Sequence, residues 1–178
     1  PALVALNQGA LKSERLTVVN ADALQWLEES EDYFDFVIID FPDPSNFALG
    51  KLYTSAFYRL VEKRLSANGL LVVQSTSPLY ARQSFWCVVQ TLESVGFRTA
   101  PYHAQVPSFG EWGYIIAGRH DFVPASIDAT KTRYLTPETL PGLFAFPADM
   151  GRIPAEVNQL NNQVLVRYFE SEWRKVIR

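Results

Sequence analysis

The feature that most constrains this chain is the alternation of short apolar runs with amphipathic stretches along residues 16–118. The runs FDFVIID (34–40) and GLLVVQS (69–75) are nearly continuous in apolar residues, which is typical of strands covered on both faces. Between them, TSAFYRLVEKRL (54–65) repeats its apolar residues at helical spacing. This order predicts an α/β fold, a doubly wound and mostly parallel sheet with helices on both faces.

Shorter segments extend the same pattern on both sides. We predict a buried strand at 16–22, helices at 23–30, 85–96 and 162–176, and strands at 97–106 and 112–118. The last two strands are joined by a short turn, which predicts an antiparallel pair. Thr54 or Ser55 is expected to cap the helix at 54–65, and Asn68-Gly69 is expected to end it.

Composition and charge exclude several classes of function. The chain has 178 residues, 48% of them hydrophobic, which is enough for one compact domain with a core. Its net charge is −3 and its cations are scattered, so nucleic acid is not expected as a partner, because neutralising phosphates needs clustered cations. Its one cysteine, Cys87, is read as a core residue, and no metal site is expected because neither histidine has a partner at metal spacing. Without a signal peptide or an apolar run of about 18 residues, the chain is expected to be a cytoplasmic domain.

Polar side chains gather where the predicted strands end. Asp22 ends the strand at 16–22, Asp40 and Asp43 lie in the turn DFPDP, and Gln74 closes GLLVVQ. Ligands of open α/β sheets bind beyond the carboxyl ends of the strands, so these residues are candidates for one site. The residues alone leave two interpretations of the acid turn open: its carboxylates cap a turn, or they hold a positively charged ligand.

Three strings in the chain resemble the polyamine aminopropyltransferases, the spermidine synthase family. They are IIDFPDP (38–44), LYTSAFYRLVEKRLSANGLLVVQSTSP (52–78) and VPSFGEWGYIIAG (106–118), and residues 6–27 match the segment before them. The chain looks most like the bacterial group in which this domain follows a region with several membrane spans. The resemblance implies a Rossmann-like sheet of the class I methyltransferase type, in which an aminopropyl group is transferred to a diamine such as putrescine.

The resemblance also implies roles for the residues on the acceptor side. Asp40 matches the catalytic acid that takes a proton from the attacking amine, and Asp43 matches the carboxylate that holds the diamine. Gln74 matches a glutamine that lines the acceptor pocket, and Tyr53 is a candidate for gating that pocket. Pro107 stands where the family has a tyrosine that contacts the acceptor, so the identity of the amine stays open.

On the donor side, Asp22 and Ala23 match the pair that contacts the adenine of decarboxylated S-adenosylmethionine. The family's Gly-rich donor loop and the acid after its second strand have no match here, and Gly9 cannot replace them. The chain therefore resembles a fragment truncated at its N-terminal side, and we expect it to be inactive alone. We expect the opened edge of FVIID to be covered by residues 16–19 or by a second copy in a homodimer.

The predicted domain organisation has two parts. Residues 1–118 form the C-terminal part of the Rossmann-like domain, and 119–178 form a helical extension packed on it. Trp86 and Trp112 are expected in the core. The parent protein is expected to carry membrane spans upstream, in the inner membrane.

Two other functions stay open, a methyltransferase that uses S-adenosylmethionine and a non-catalytic ligand-sensing or interaction domain of a membrane protein. The paired acids argue against the methyltransferase, because they suit a cationic diamine.

Overall fold

The computed structural model describes residues 5–124 and 131–176. Residues 1–4 of the predicted first part, and 125–130 and 177–178 of the predicted extension, lie outside the described residues. The described residues contain a sheet of order β1-β2-β4-β3. Its strands are Phe34–Ile39 (β1), Leu65–Ser75 (β2), Arg98–Val106 (β3) and Gly110–Gly118 (β4).

The strand directions agree with the predicted fold class. β1 and β2 pair in parallel, whereas β4 pairs antiparallel with both β2 and β3. Among the described strands, β4 alone therefore runs against the others. The antiparallel last pair is confirmed, and β4 lies inside the sheet, between β2 and β3.

Helices and 3₁₀ turns connect these strands. The α-helices are Ala23–Glu29 (α1), Phe47–Gly50 (α2), Ser55–Arg64 (α3), Arg82–Ser94 (α4), Leu140–Leu143 (α5) and Val164–Val176 (α6), and the 3₁₀ turns are Ala10–Lys12 and Lys51–Tyr53. α3 begins where predicted, because the Thr54 hydroxyl accepts a hydrogen bond from the Phe57 amide at 3.4 Å. Within the described ranges, none of these helices is long and apolar enough to cross a membrane.

The strand predicted at 16–22 is wrong. These residues form no ladder, and Leu16, Val18 and Val19 are exposed. β-branched residues favour a strand only where a neighbouring strand can bond and cover them, and this segment has none among the described residues.

The outer edge of β1 is open, and one of its faces is bare. β1 pairs with β2 alone among the described strands, and Phe36 and Ile38 are 54% and 69% exposed. The predicted cover on both faces is therefore wrong for this face, and so is the expectation that residues 16–19 move over the edge. Covering of the edge by a second copy stays a prediction.

The Asn68-Gly69 pair does not end a helix. α3 ends at Arg64, and β2 runs from Leu65 through Asn68 and Gly69. The pair instead lies in an irregular part of the ladder, where Phe34 pairs with Leu65 but Phe36 pairs with Leu70. A Cβ on Gly69 would lie 2.7 Å from the Leu65 side chain and 3.0 Å from the Phe34 carbonyl oxygen, so glycine permits the close approach of the strands.

The core lies between the sheet and helices α3 and α4, and residues 146–166 complete it. Trp86 and Cys87 on α4 are buried, as predicted. The Trp86 indole N–H donates to the Met150 carbonyl oxygen at 2.9 Å, and Val164 and Leu165 at the start of α6 are fully buried. The segment after the sheet therefore packs on the sheet domain, whereas the predicted boundary at residue 118 stays a prediction.

Candidate functional site

Asp40 and Gln74 lie side by side at the carboxyl ends of two parallel strands. Ile39 of β1 pairs with Val73 of β2, so the next residue of each strand reaches the same rim of the sheet. Both side chains line an open cavity of about 320 Å³, here called the Asp40 hollow. Its other walls come from the β3–β4 hairpin and are Val106, Phe109, Trp112 and Tyr114.

The Asp40 carboxylate is exposed at the mouth of this hollow. None of the residues that the structure describes donates a hydrogen bond to it. Burial, together with the nearby charge of Asp40, raises the pKa of Tyr114 above its ordinary value. Asp40 is thus a negatively charged group that faces an aromatic wall and is free to accept a proton or a cation.

Asp43 lies in the same turn but is less exposed to solvent than Asp40. Its side chain is half-buried, and burial raises the pKa of its carboxyl to about 6. No hydrogen bond to this carboxylate forms within the described ranges, and Asp43 is not among the residues that line the Asp40 hollow. The turn-cap interpretation does not fit either acid, because a capping carboxylate accepts backbone amides as Asp22 does.

The neighbours of Gln74 determine which way its amide points. The Trp112 indole N–H can only donate and the Phe41 carbonyl oxygen can only accept. We therefore assign the amide oxygen to the Trp112 Nε1 and the amide nitrogen to the Phe41 oxygen, which is 3.0 Å away. Gln74 lines the hollow as predicted, but its amide is bound on both sides by the protein.

Tyr53 lies beneath the acid turn and outside the hollow. It is 1% exposed, and its hydroxyl lies 3.1 Å from the Phe41 carbonyl oxygen and 3.2 Å from that of Pro42. Burial, with the charges of Asp43 and Asp40, raises the pKa of Tyr53, so the hydroxyl keeps its proton and donates it to these carbonyls. This position supports the turn, and the predicted gating role stays untested.

Asp22 and Ala23 lie apart from the Asp40 hollow, at the start of α1. One Asp22 oxygen accepts the amides of Leu24 and Gln25 at 3.0 and 3.3 Å, and the other lies 2.6 Å from the Lys51 ammonium nitrogen. The hydrogen bond from Lys51 holds the pKa of Asp22 below its ordinary value. Ala23 borders a neighbouring hollow with Trp26. Lys51 thus links Asp22 to the 3₁₀ turn that carries Tyr53.

Sequence reasoning missed most of the aromatic wall. The prediction that Trp112 is a core residue is wrong, because it is only half-buried and faces the Asp40 hollow. Side chains alternate between the two faces of a strand, and this alternation could have revealed the wall. Gly113, Ile115 and Ala117 are buried on one face of β4, so Trp112 and Tyr114 lie on the other face. Pro107, at the position of the family's tyrosine, is exposed and outside the lining.

Comparisons with protein families and with curated proteins both find proteins of polyamine synthesis. A family model described as the spermine/spermidine synthase domain matches residues 2–125. The chain is 55% identical over 179 residues to polyamine aminopropyltransferase 2 of Ralstonia nicotianae, covering 99% of this chain and 35% of that protein. It is 48% identical to the polyamine aminopropyltransferase of Leptospira interrogans, covering 97% of this chain and 34% of that protein.

A solved structure matches the fold as well. It is a spermidine synthase in complex with the transition-state analogue AdoDATO, with a TM-score of 0.67 and 25% identity. The match covers 82% of this chain and 52% of that one. The chain spans about a third of the length of the curated relatives it matches.

Proposed function

The chain belongs to the spermine/spermidine synthase domain family, and from this premise we propose that it supplies the amine-binding side of an aminopropyltransferase. The reaction moves an aminopropyl group from decarboxylated S-adenosylmethionine to a diamine such as putrescine. The observation that carries the proposal is the Asp40 carboxylate, which directly follows β1, faces an aromatic-walled hollow and has no hydrogen-bond donor among the described residues.

The first task of such a site is to remove a proton from the acceptor. An alkylamine has a pKa near 10.4, so its ammonium form dominates at pH 7, and removing the proton costs about 4–5 kcal/mol. A carboxylate within hydrogen-bond reach of the ammonium can take this proton as the nitrogen attacks. Asp40 fits this role because it lies on the rim of the hollow and no residue in the described ranges donates a hydrogen bond to it.

Asp43 is the candidate for the second task, which is to attract and orient the cation, and it would do so from the same turn although it lies outside the lining of the Asp40 hollow. Its half-buried carboxyl has a pKa of about 6, because burial disfavours the charged form. A bound ammonium group would supply the missing positive charge and favour ionisation. The aromatic side chains of the hollow would pack along the methylene groups of the diamine and keep water away.

The bond changes need no further acid from the protein. The amine nitrogen forms a bond to the terminal carbon of the aminopropyl group, and the bond from that carbon to sulfur breaks. The electron pair returns to the sulfur, so the positively charged sulfonium leaves as a neutral thioether. The proton from the nitrogen goes to Asp40, and charge is balanced without a metal.

For the donor, this chain offers Asp22 and Ala23 at the start of α1. The spermidine synthase that the fold resembles was solved with AdoDATO, which supports an adenosyl donor here. The Asp22 carboxylate, held by two amides and Lys51, could accept from the exocyclic amine of adenine. The Gly-rich loop that the resemblance implies has no match in residues 1–178.

The test uses the full-length protein with decarboxylated S-adenosylmethionine and putrescine, with product measured by mass spectrometry. We expect aminopropyl transfer, and we expect Asp40→Asn to lower kcat by roughly 10²–10⁴-fold, the range for loss of a general base. Asp35→Asn is the matched control, because Asp35 lies on the same strand and binds Ser66 at the far end from the hollow. It should leave kcat within about twofold of the wild type.

Three outcomes would contradict the proposal. No transfer to any diamine would favour a ligand-sensing domain, and methyl transfer from intact S-adenosylmethionine would favour the methyltransferase. Full activity of the Asp40→Asn variant would remove Asp40 from its role. The relatives named polyamine aminopropyltransferase argue against the methyltransferase. A cytoplasmic location, membrane spans in the parent protein and a homodimer through the β1 edge remain predictions.

A further inference from the structure

We propose that Gln74 is a positioning residue for Asp40 and that Trp112 fixes the orientation of its amide. In this role Gln74 does not bind the amine, although it lines the same hollow. The inference rests on the proposed function, because it concerns how the catalytic carboxylate is held. It differs from the role that the resemblance implies for Gln74.

The argument starts from the hydrogen bonds of the Gln74 amide. Its oxygen accepts from the Trp112 indole, and its nitrogen donates to the Phe41 carbonyl oxygen at 3.0 Å. An ammonium group has only donors, so it needs an acceptor. The Gln74 oxygen is uncharged and already accepts one hydrogen bond from Trp112, whereas the carboxylates of Asp40 and Asp43 are the stronger acceptors for a cation and have no donors among the described residues.

The Phe41 carbonyl is the group that this amide fixes. Phe41 directly follows Asp40, and its oxygen receives a second hydrogen bond from the Tyr53 hydroxyl at 3.1 Å. The same hydroxyl reaches the next carbonyl, that of Pro42, at 3.2 Å. Two donors, one from β2 and one from the 3₁₀ turn, therefore hold the backbone immediately after the catalytic acid.

These contacts form one connected path across the site. It runs from Trp112 on β4 to Gln74 on β2, then to the Phe41 carbonyl and to Tyr53 in the 3₁₀ turn. Asp40 receives no hydrogen bond of its own from the described residues, so its position depends on the backbone that carries it. A displacement of about 1 Å at a reacting group can cost on the order of a hundredfold in rate. The path therefore acts on kcat rather than on binding of the amine.

The Gln74→Glu variant distinguishes a positioning role from an amine-binding role by its effect on the KM for putrescine. A carboxylate at this position can still accept from Trp112 but cannot donate to the Phe41 oxygen. If Gln74 positions the turn, we expect kcat to fall roughly ten- to hundredfold, with the KM for putrescine unchanged or higher. If Gln74 binds the ammonium group, the added charge would lower the KM for putrescine, and the inference would be wrong.

Trp112→Phe tests the other end of the path, because it keeps an aromatic wall and removes only the indole N–H. We expect kcat to fall about tenfold, as for loss of one hydrogen bond. In a double-mutant cycle, Trp112→Phe added to Gln74→Leu should lower kcat by less than about twofold more, because the path is already broken. Independent, multiplying effects on kcat would overturn the inference.

Matched controls separate these effects from general damage. Gln90→Glu and Trp173→Phe make the same chemical changes on α4 and α6, outside the hollow, and should leave kcat and KM unchanged. Near-ultraviolet circular dichroism confirms that each variant is folded. A wild-type protein without aminopropyl transfer would refute the proposed function itself, whereas an active wild type with a lower KM in Gln74→Glu would refute only the role of Gln74.

Discussion

At the scale of single residues, the two acids of the turn differ in how much water they meet. Asp40 is exposed, whereas Asp43 is half-buried and its pKa is raised from 3.8 to about 6. Between these two values the folded state binds more protons than the unfolded state. The free energy of unfolding therefore falls as the pH rises through this window, and the loss is complete above about pH 7.

Asp43→Asn removes the charge and keeps the shape. We expect it to leave stability nearly unchanged at pH 4 and to raise the free energy of unfolding by about 1–2 kcal/mol at pH 7.5. The full pKa shift of Asp43 corresponds to about 3 kcal/mol of unfolding free energy. Water that still reaches the carboxylate makes the expected effect smaller. Urea denaturation at both pH values measures the difference.

The exposed Asp121 provides the control for Asp43. Asp121→Asn should change stability by less than about 0.5 kcal/mol at either pH. A destabilising effect of Asp43→Asn at pH 7.5 would show that the Asp43 charge is stabilised by a group that the described residues do not supply. The stabilised variant is expected to bind putrescine more weakly, since the site would have lost a negative charge.

At the scale of secondary-structure elements, α4 is capped from a distant part of the chain. Its N-cap residue, Ala81, has no side-chain acceptor. Glu172 of α6 takes this place, accepting the Gln83 amide at 2.7 Å, the Ser84 amide at 3.0 Å and the Ser84 hydroxyl at 2.6 Å. A carboxylate is also favoured there by the helix dipole.

Glu172→Ala should therefore lower the free energy of unfolding by about 2 kcal/mol, because three donors lose their acceptor. Glu170→Ala on the same helix is the control. Its only described partner is the exposed Arg174 at 3.4 Å, so we expect a change within about 0.5 kcal/mol. Equal effects of the two variants in urea denaturation would contradict the capping role.

These two helix starts show what the sequence can and cannot predict. The cap of α3 is Thr54, which directly precedes the helix and is one of the two caps that the sequence predicted. The cap of α4 is Glu172, which lies 88 positions after Ser84, so no local sequence pattern indicates it. Asp40 and Gln74 were brought together by the rule for strand ends, whereas the strand at 16–22 failed because a strand requires a neighbour that local sequence does not specify.

At the scale of the whole molecule, residues after the sheet hold the support of the acid turn in place. Asn158 is fully buried, and its side-chain nitrogen donates to the carbonyl oxygens of Gly50 and Tyr53 at 3.2 and 3.1 Å. Its oxygen accepts the Leu165 amide at 3.3 Å. One side chain therefore joins the start of α6 to the 3₁₀ turn whose Tyr53 holds the acid turn.

Asn158→Asp keeps the shape but replaces two donors with a buried carboxylate that faces two carbonyl oxygens. We expect the free energy of unfolding to fall by about 3 kcal/mol or more. We also expect faster hydrogen exchange at the amides of residues 50–54, which depend on this junction. Asn161→Asp, an exposed substitution three residues away, should change neither quantity. If Asn158→Asp lowered stability but left exchange at 50–54 unchanged, the extension would stabilise the core without supporting the site. Faster exchange there, together with a lower kcat, would show that the Asn158 junction supports the acid turn.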